Sequence, residues 1–310
     1  MKKLLSFGPL FVVLASILWS LDGLLRVSLY ALPPIVVVFL EHLVGFAIIL
    51  PFVFRRGHLL RKITPKTWGA FAWVTVLSSV MGTLLYTTAL GLVQFAQFSV
   101  VVLLQQLEPL VVIIFARIIL KERITPKFWV WLVVALVAAY FISFPDLRIN
   151  LTTGRGTAMA ALFAVGAAFS WGSSTVFSRY ALLQLPTLLT TAVRFGLASV
   201  LAGTMVFVFG HGAALSAVNQ IQWLTVGIIA LSTGMAALTI YYYGLKRTPA
   251  RIATICELTW PLSAVVIDYV YFHKPLSPTQ WIGALALMMT IYKVSTMVRK
   301  QEQTVPKVTS

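Results

Sequence analysis

The sequence predicts an all-α membrane protein of ten transmembrane helices, built as two inverted five-helix repeats. Three observations lead there. Hydrophobic residues fill 59% of the 310 positions and charged residues only 10%, with mean hydropathy +0.93, whereas a water-soluble surface needs far more charge. The apolar residues gather into blocks of roughly 20, the length that crosses a ~30 Å hydrocarbon core as helix. Finally, Trp19, Pro34, Pro109, Pro126 and Trp129 recur 152 residues later as Trp171, Pro186, Pro261, Pro278 and Trp281.

The first block, 8–29, follows Lys2 and Lys3 and starts like a secretory signal. Its apolar run continues to Leu29, and Trp19 aligns with mid-span Trp171, so it reads as a retained helix. Block 34–54 carries Glu41 and His42; block 68–90 carries Ser78, Ser79, Gly82 and Tyr86; block 96–118 carries Gln105, Glu108 and Pro109. Block 126–145 closes the first repeat, 1–149. The second repeat, 150–300, opens with block 157–179 around Trp171 and continues with 186–209, which holds Arg194-Phe195. Blocks 222–245, 251–272 and 279–297 follow, with Tyr241-Tyr242-Tyr243 in the eighth and Cys256, Glu257, Trp260 and Pro261 in the ninth. Residues 301–310 remain as a cytoplasmic tail.

A formal charge of +16 invites a nucleic-acid reading, and the placement of the basic residues argues against it. With Lys2 and Lys3 inside, ten crossings put Arg55, Arg56, Arg61, Lys62, Lys66, Arg117, Lys121, Arg123 and Lys127 on the same side. Arg179, Lys246, Arg247, Arg251 and the basic residues of 293–307 join them. Only Arg26, Arg148, Arg155 and Lys274 fall on the other side, while Arg194 lies within a span. This bias predicts a multi-pass protein with both termini in the cytoplasm, and a bacterial or archaeal cytoplasmic membrane is the expected location. Cys256 is a small core residue with no disulfide partner. Asn150-Leu151-Thr152 forms a glycosylation triplet in an outward loop, relevant only in a eukaryotic secretory pathway.

Five spans per half is an odd number, so the second half starts on the opposite face and sits upside down relative to the first. That is the plan of secondary carriers, which bind substrate near the midplane between halves and rock between two open states. The register is fixed by Leu18-Trp19-Ser20 with Ser170-Trp171-Gly172, Glu108-Pro109-Leu110 with Trp260-Pro261-Leu262, and Ile124-Thr125-Pro126 with Leu276-Ser277-Pro278. With its Trp plus small residues in each first helix, Arg194-Phe195, a Pro in each fourth helix and Lys121-Glu122-Arg123-Ile124-Thr125-Pro126, the chain resembles the EamA-type branch of the drug/metabolite transporter superfamily. The resemblance covers nearly the whole chain and implies transport, with export favoured. Two departures stand out: His42, preceded by Glu41, replaces an Arg matching Arg194, and His273-Lys274-Pro275 replaces the Lys-Glu-Arg of the first half.

An uncompensated charge at a helix centre costs at least ~2.5–3.5 kcal/mol, so ionisable residues inside spans should face a cavity or a partner. Gln105 and Glu108 share one helical face beside Pro109, which removes a backbone hydrogen bond. Glu257 and Pro261 share a face of the ninth span, with Trp260 adjoining. Asp22 and Arg26 are spaced as a neutralising pair. Glu41 and His42 point roughly 100° apart, so one is expected in the cavity and the other against a neighbouring helix. Arg194 lies at the depth of Glu257, and a direct pair between them is expected. Glu108, Glu257 and His42 are the candidate proton-coupling groups; with Glu257 paired, Glu108 leads.

Aromatic residues at span ends (Trp68, Trp73, Trp129, Trp223 and Trp281) read as interfacial belt. Trp19, Trp171 and Trp260 are central and join the candidate cavity set, as does Tyr86, whereas Tyr241-Tyr242-Tyr243 reads as structural. Ser78, Ser79, Gly82, Gly166, Ser170, Gly172, Ser173, Ser174, Ser232 and Gly234 read as close helix packing.

These residues predict a secondary carrier of a small polar metabolite, with amino-acid-like zwitterions leading: a Glu108 or Glu257 carboxylate for the ammonium end, Arg194 for the carboxylate end, and Trp19 and Trp171 as walls. A facilitative exchanger of a nucleobase, sugar-nucleotide or organic cation is the alternative. A channel ranks below both, as does an intramembrane enzyme, for which the sequence offers no convincing zinc motif, phosphate loop or nucleophile elbow. The expected partners are substrate, membrane lipid and protons; no metal or organic cofactor is implied. A monomer and a homodimer both fit.

Overall fold

The computed structural model describes residues 7–25, 29, 31–92, 101, 104–144, 157–271, 273 and 275–304. All regular structure among them is helical. The first half contains α1 (Gly8–Ser20), a short α2 (Asp22–Leu25), α3 (Pro34–Val53), a 3-10 segment (Phe54–Lys62) and α4 (Pro65–Trp73). A π-helical stretch (Val74–Gly82), α5 (Thr83–Leu92), α6 (Glu108–Ile119) and α7 (Pro126–Ser143) complete it. The second contains α8 (Thr157–Leu182), α9 (Thr187–Val208), a short α10 (Gly212–Ser216), α11 (Gln220–Leu231), α12 (Met235–Arg247), α13 (Ala250–Glu257), α14 (Thr259–Tyr271) and α15 (Pro278–Thr304).

Starts are written into the sequence. Pro34, Pro65, Pro126 and Pro278 open helices at the position where a missing N–H costs nothing. Thr64 Oγ1 accepts from the Thr67 amide at 3.3 Å. Asn219 and Gln222 form a reciprocal cap at 2.9 and 3.0 Å, and Ser277 with Gln280 forms another at 3.3 and 3.0 Å.

Seven stretches of the described residues are long and apolar enough to cross a membrane: 34–53, 65–86, 126–143, 158–182, 187–208, 220–247 and 250–267. The other three expected spans differ from simple rods. α1 has 13 residues and stops at a turn at Leu21. The fourth block lies partly outside the described residues, and its helix proper begins only at Glu108. α15 runs 27 residues to Thr304, so the first four positions of the expected tail are helical. Arg26, Asn150 and Lys274 lie outside the described residues.

Val208, Val200, Ile221, Phe207 and Leu162 point away from the bundle, the apolar exterior that a lipid phase requires. The interior is assembled by helices of one half packing on helices of the other: α3 on α9, α7 on α15, α1 on α12 and α14, and α8 on α6, α5 and the π stretch. Two of these crossings need glycine. A Cβ on Gly8 would meet the Gly244 carbonyl at 2.8 Å, and one on Gly283 would meet the Ala138 carbonyl at 2.8 Å.

Candidate functional site

Helix interruptions place polar groups at the centre of the bundle. The fourth span turns at Gln106–Leu107, so that Glu108 and Pro109 open α6, and the ninth turns at Leu258, between Glu257 on α13 and Trp260 on α14. The 152-residue repeat aligns Gln105 with Glu257 and Pro109 with Pro261, so both turns fall at the same place in their halves. The third span is π-helical across Ser78, Ser79 and Gly82, and the eighth is broken at Ser232–Gly234, with Gly82 aligned to Gly234. Such interruptions free backbone groups for other partners and recur at functional sites. Here the Ser78 carbonyl, inside the π stretch, accepts from Trp171 Nε1 at 3.3 Å.

The interrupted helices enclose a cavity of about 400 Å³. All ten residues singled out from sequence border it: Trp19, Glu41, His42, Tyr86 and Gln105, then Glu108, Trp171, Arg194, Glu257 and Trp260. Two aromatic pairs form walls, Tyr86 with Trp171 at 5.4 Å and Trp19 with Tyr241 at 5.0 Å between ring centroids. Gln105 Nε2 donates to Glu108 Oε2 at 3.4 Å, as their i,i+3 spacing predicts.

Several sequence expectations are corrected. Arg194 and Glu257 do not pair. Arg194 donates from Nε to Ser79 Oγ at 3.2 Å, from Nη2 to Ser78 Oγ at 2.9 Å and from Nη1 to Tyr242 Oη at 2.9 Å. Glu257 Oε1 accepts instead from Tyr241 Oη at 2.8 Å. The tyrosine pair read as structural thus supplies a partner to each, and Ser78 and Ser79, read as packing, hold a cation. Both Glu41 and His42 border the cavity, which is wide enough to be reached by neighbouring positions of α3. His42 Nδ1 lies 2.8 Å from the Val38 carbonyl, and its ring packs 4.9 Å from that of Phe195. Asp22 accepts from Thr233 Oγ1 at 2.6 Å, a contact across the two halves; Arg26, its expected partner, lies outside the described residues. Trp73 is not a belt residue: it donates to Ser173 Oγ at 3.0 Å and packs on Phe177 at 5.0 Å. Trp68, Trp129, Trp223 and Trp281 are exposed, as belt residues should be.

Sequence reasoning missed the hydroxyl face of α8. Ser174, Thr175 and Ser178 border the cavity; Thr175 Oγ1 lies 3.3 Å from Tyr241 Oη and Ser178 Oγ lies 2.9 Å from Tyr242 Oη. The signal was legible as Ser170, Ser174 and Ser178 at four-residue spacing, one polar stripe on an apolar helix.

The sequence model of the EamA-like transporter family matches residues 6–144 and again residues 158–296. The riboflavin transporter ImpX of Fusobacterium nucleatum is 34% identical over 299 residues, covering 93% of this chain and 97% of its own. The uncharacterized inner membrane transporter YedA of Escherichia coli is 22% identical over 300 residues, covering 93% of this chain and 90% of its own. A solved crystal structure superposes with a TM-score of 0.75 at 21% identity, covering 95% of this chain and 98% of that one, which shows a shared fold.

Proposed function

The chain belongs to the EamA-like transporter family, and from that premise we propose that it carries riboflavin, or a similar flat heteroaromatic solute with a polyhydroxyl chain, across a prokaryotic cytoplasmic membrane. The observation that carries this reading is the composition of the cavity wall. Two aromatic pairs stand beside hydroxyl groups from Ser78, Ser79, Thr83, Ser174, Thr175, Ser178, Thr233 and Thr254. A planar ring system finds faces to stack on, and a polyol finds donors and acceptors. The volume, about 400 Å³, lies in the roughly 300–1,000 Å³ range of small-molecule sites. The name of the Fusobacterium nucleatum relative points the same way.

Alternating access between two inverted halves, 1–149 and 150–300, with ten spans and both termini cytoplasmic, is the mechanism proposed. It is supported by the breaks at aligned positions and by helix pairing across halves: α1 packs on α12 and α14 as α8 packs on the third and fourth spans. Discontinuous helices flanking a central site belong to this class of carrier.

A zwitterionic amino acid is the second reading, favoured by Arg194. Its three hydrogen bonds to described residues leave two of the five guanidinium N–H groups for a carboxylate. Proteoliposomes decide between the two. Saturable uptake of labelled riboflavin, accelerated by riboflavin preloaded inside, is the expected result, with unlabelled amino acids failing to compete. Counterflow with an amino acid but not riboflavin would reverse the order of the readings, and large unitary currents would exclude a carrier.

A further inference from the structure

Beneath one end of the cavity lies a buried charge cluster that substrate recognition does not use. Glu122 sits in the link between α6 and α7. Its Oε1 accepts from the Ala250 amide at 2.7 Å, and its Oε2 accepts from Arg251 Nη1 at 2.9 Å and from the Arg251 amide at 3.3 Å. Arg179 Nε, at the end of α8, lies 3.4 Å from Glu122 Oε1. Arg179 Nη1 also donates to the carbonyls of Leu245 at 3.0 Å and Thr248 at 2.8 Å. The carboxylate therefore sits at the positive end of α13 and the guanidinium at the negative end of α12, each favoured by the local backbone dipoles. Three side chains tie together four segments from both halves.

Position and asymmetry suggest a role beyond stability. Ser178 and Thr254, which border the cavity, are the neighbour of Arg179 and the residue one turn beyond Arg251. The repeat counterparts of Arg179, Arg251 and Glu122 are Val27, Ser99 and Lys274, a set that cannot form the same cluster in the other half. α13 joins the two places directly. It begins with Ala250-Arg251 at the cluster and ends with Glu257 at the cavity, a single rigid helix of about two turns.

We propose that Glu122, Arg179 and Arg251 form a latch that closes the cavity on one face of the membrane, and that α13 is the lever by which an occupied cavity releases it. This rests on the carrier reading above. A buried pair that loses one partner leaves an uncompensated charge, so neutralising Glu122 drives Arg179 and Arg251 toward water and favours the conformation open on that face. Substrate drawing on Glu257 shifts α13 along the same coordinate, a rigid-element switch between two packed arrangements.

The test needs no substrate, so it stands or falls separately from the transport assignment. In a Cys256→Ala background, Thr254→Cys is labelled with a membrane-impermeant maleimide from each face, with His58→Cys reporting which face carries the 55–67 loop. Glu122→Gln is expected to raise labelling of position 254 from the loop face by about tenfold or more and to lower it from the other face. Glu122→Asp, which keeps the charge, should stay near the parent rate. Arg179→Gln supplies the same reading should Glu122→Gln fail to reach the membrane. Parent-like rates from both faces in the inserted variants overturn the latch.

Discussion

Tyr241 and Tyr242, adjacent on α12, bond two cavity residues that do not pair with each other, Glu257 and Arg194. The hydroxyl of Tyr241 donates to Glu257 Oε1 at 2.8 Å, and that of Tyr242 accepts from Arg194 Nη1 at 2.9 Å. Successive residues on a helix diverge by about 100°, so Tyr241 borders the cavity while the buried Tyr242 reaches Arg194. Each side chain has a neutral partner, and neither is consumed by the other.

The two hydroxyls should therefore separate by substitution. Tyr242→Phe removes an acceptor from Arg194, and Tyr241→Phe removes the donor to Glu257; each is expected to weaken substrate affinity by about 3- to 10-fold, the worth of one such bond. Arg194→Ala removes three charged hydrogen bonds together and should cost more than about tenfold. Uptake kinetics and binding titrations of purified protein at equal membrane content measure all three, and parent-like kinetics in Arg194→Ala would remove the guanidinium from the site.

Glu108 opens α6 at the cavity wall, with Gln105 as its hydrogen-bond neighbour. If its carboxyl carries the coupled proton, Glu108→Gln should flatten the pH dependence of transport and abolish the response to an imposed proton gradient while downhill exchange persists. A parent-like gradient response in Glu108→Gln would assign coupling elsewhere, first to Glu257 or His42.

Gly82 stands where a side chain has no room. A Cβ there would lie 2.6 Å from Trp171 Nε1 and 2.9 Å from its Cδ1. Gly82→Ala must displace the indole that donates to Ser78, and is expected to lower stability by roughly 1–3 kcal/mol together with substrate affinity. Gly227, with nothing within 4 Å of its would-be Cβ, is the control: Gly227→Ala should be neutral or slightly stabilising. Thermal denaturation in detergent reads both.

Much of this was legible in the sequence because it follows from one-dimensional pattern. Trp19 aligned with Trp171 and Glu257 aligned with Gln105 are repeat arithmetic, and ionisable residues in apolar spans are rare enough to mark a cavity by themselves. What failed was pairing. Arg194 and Glu257 match in depth, but depth gives no azimuth, and hydroxyls of the π stretch and α12 bond them instead. The contact of Asp22 with Thr233, 211 residues away, is equally beyond a one-dimensional pattern. Of the helix breaks, only the one beside Pro109 has a signal in the reading of the sequence, a lost backbone hydrogen bond. Hydropathy averages over a turn at Gln106–Leu107 or Leu258, because the few polar residues beside it are outweighed by the apolar stretches on either side.

Lys121 and His273 both have left-handed backbones, with φ of 53° and 52°, and they are 152 residues apart. Neither is glycine, the usual occupant of that conformation, so duplication has preserved a corner while its side chains diverged. After the first corner comes Glu122, drawn into the buried cluster; after the second comes Lys274. A duplicated chain inherits every bend twice, and one copy is free to take on work that the other cannot share. The two halves are thus twins in backbone and specialists in chemistry, so a carrier built from near-symmetric parts can still favour one direction.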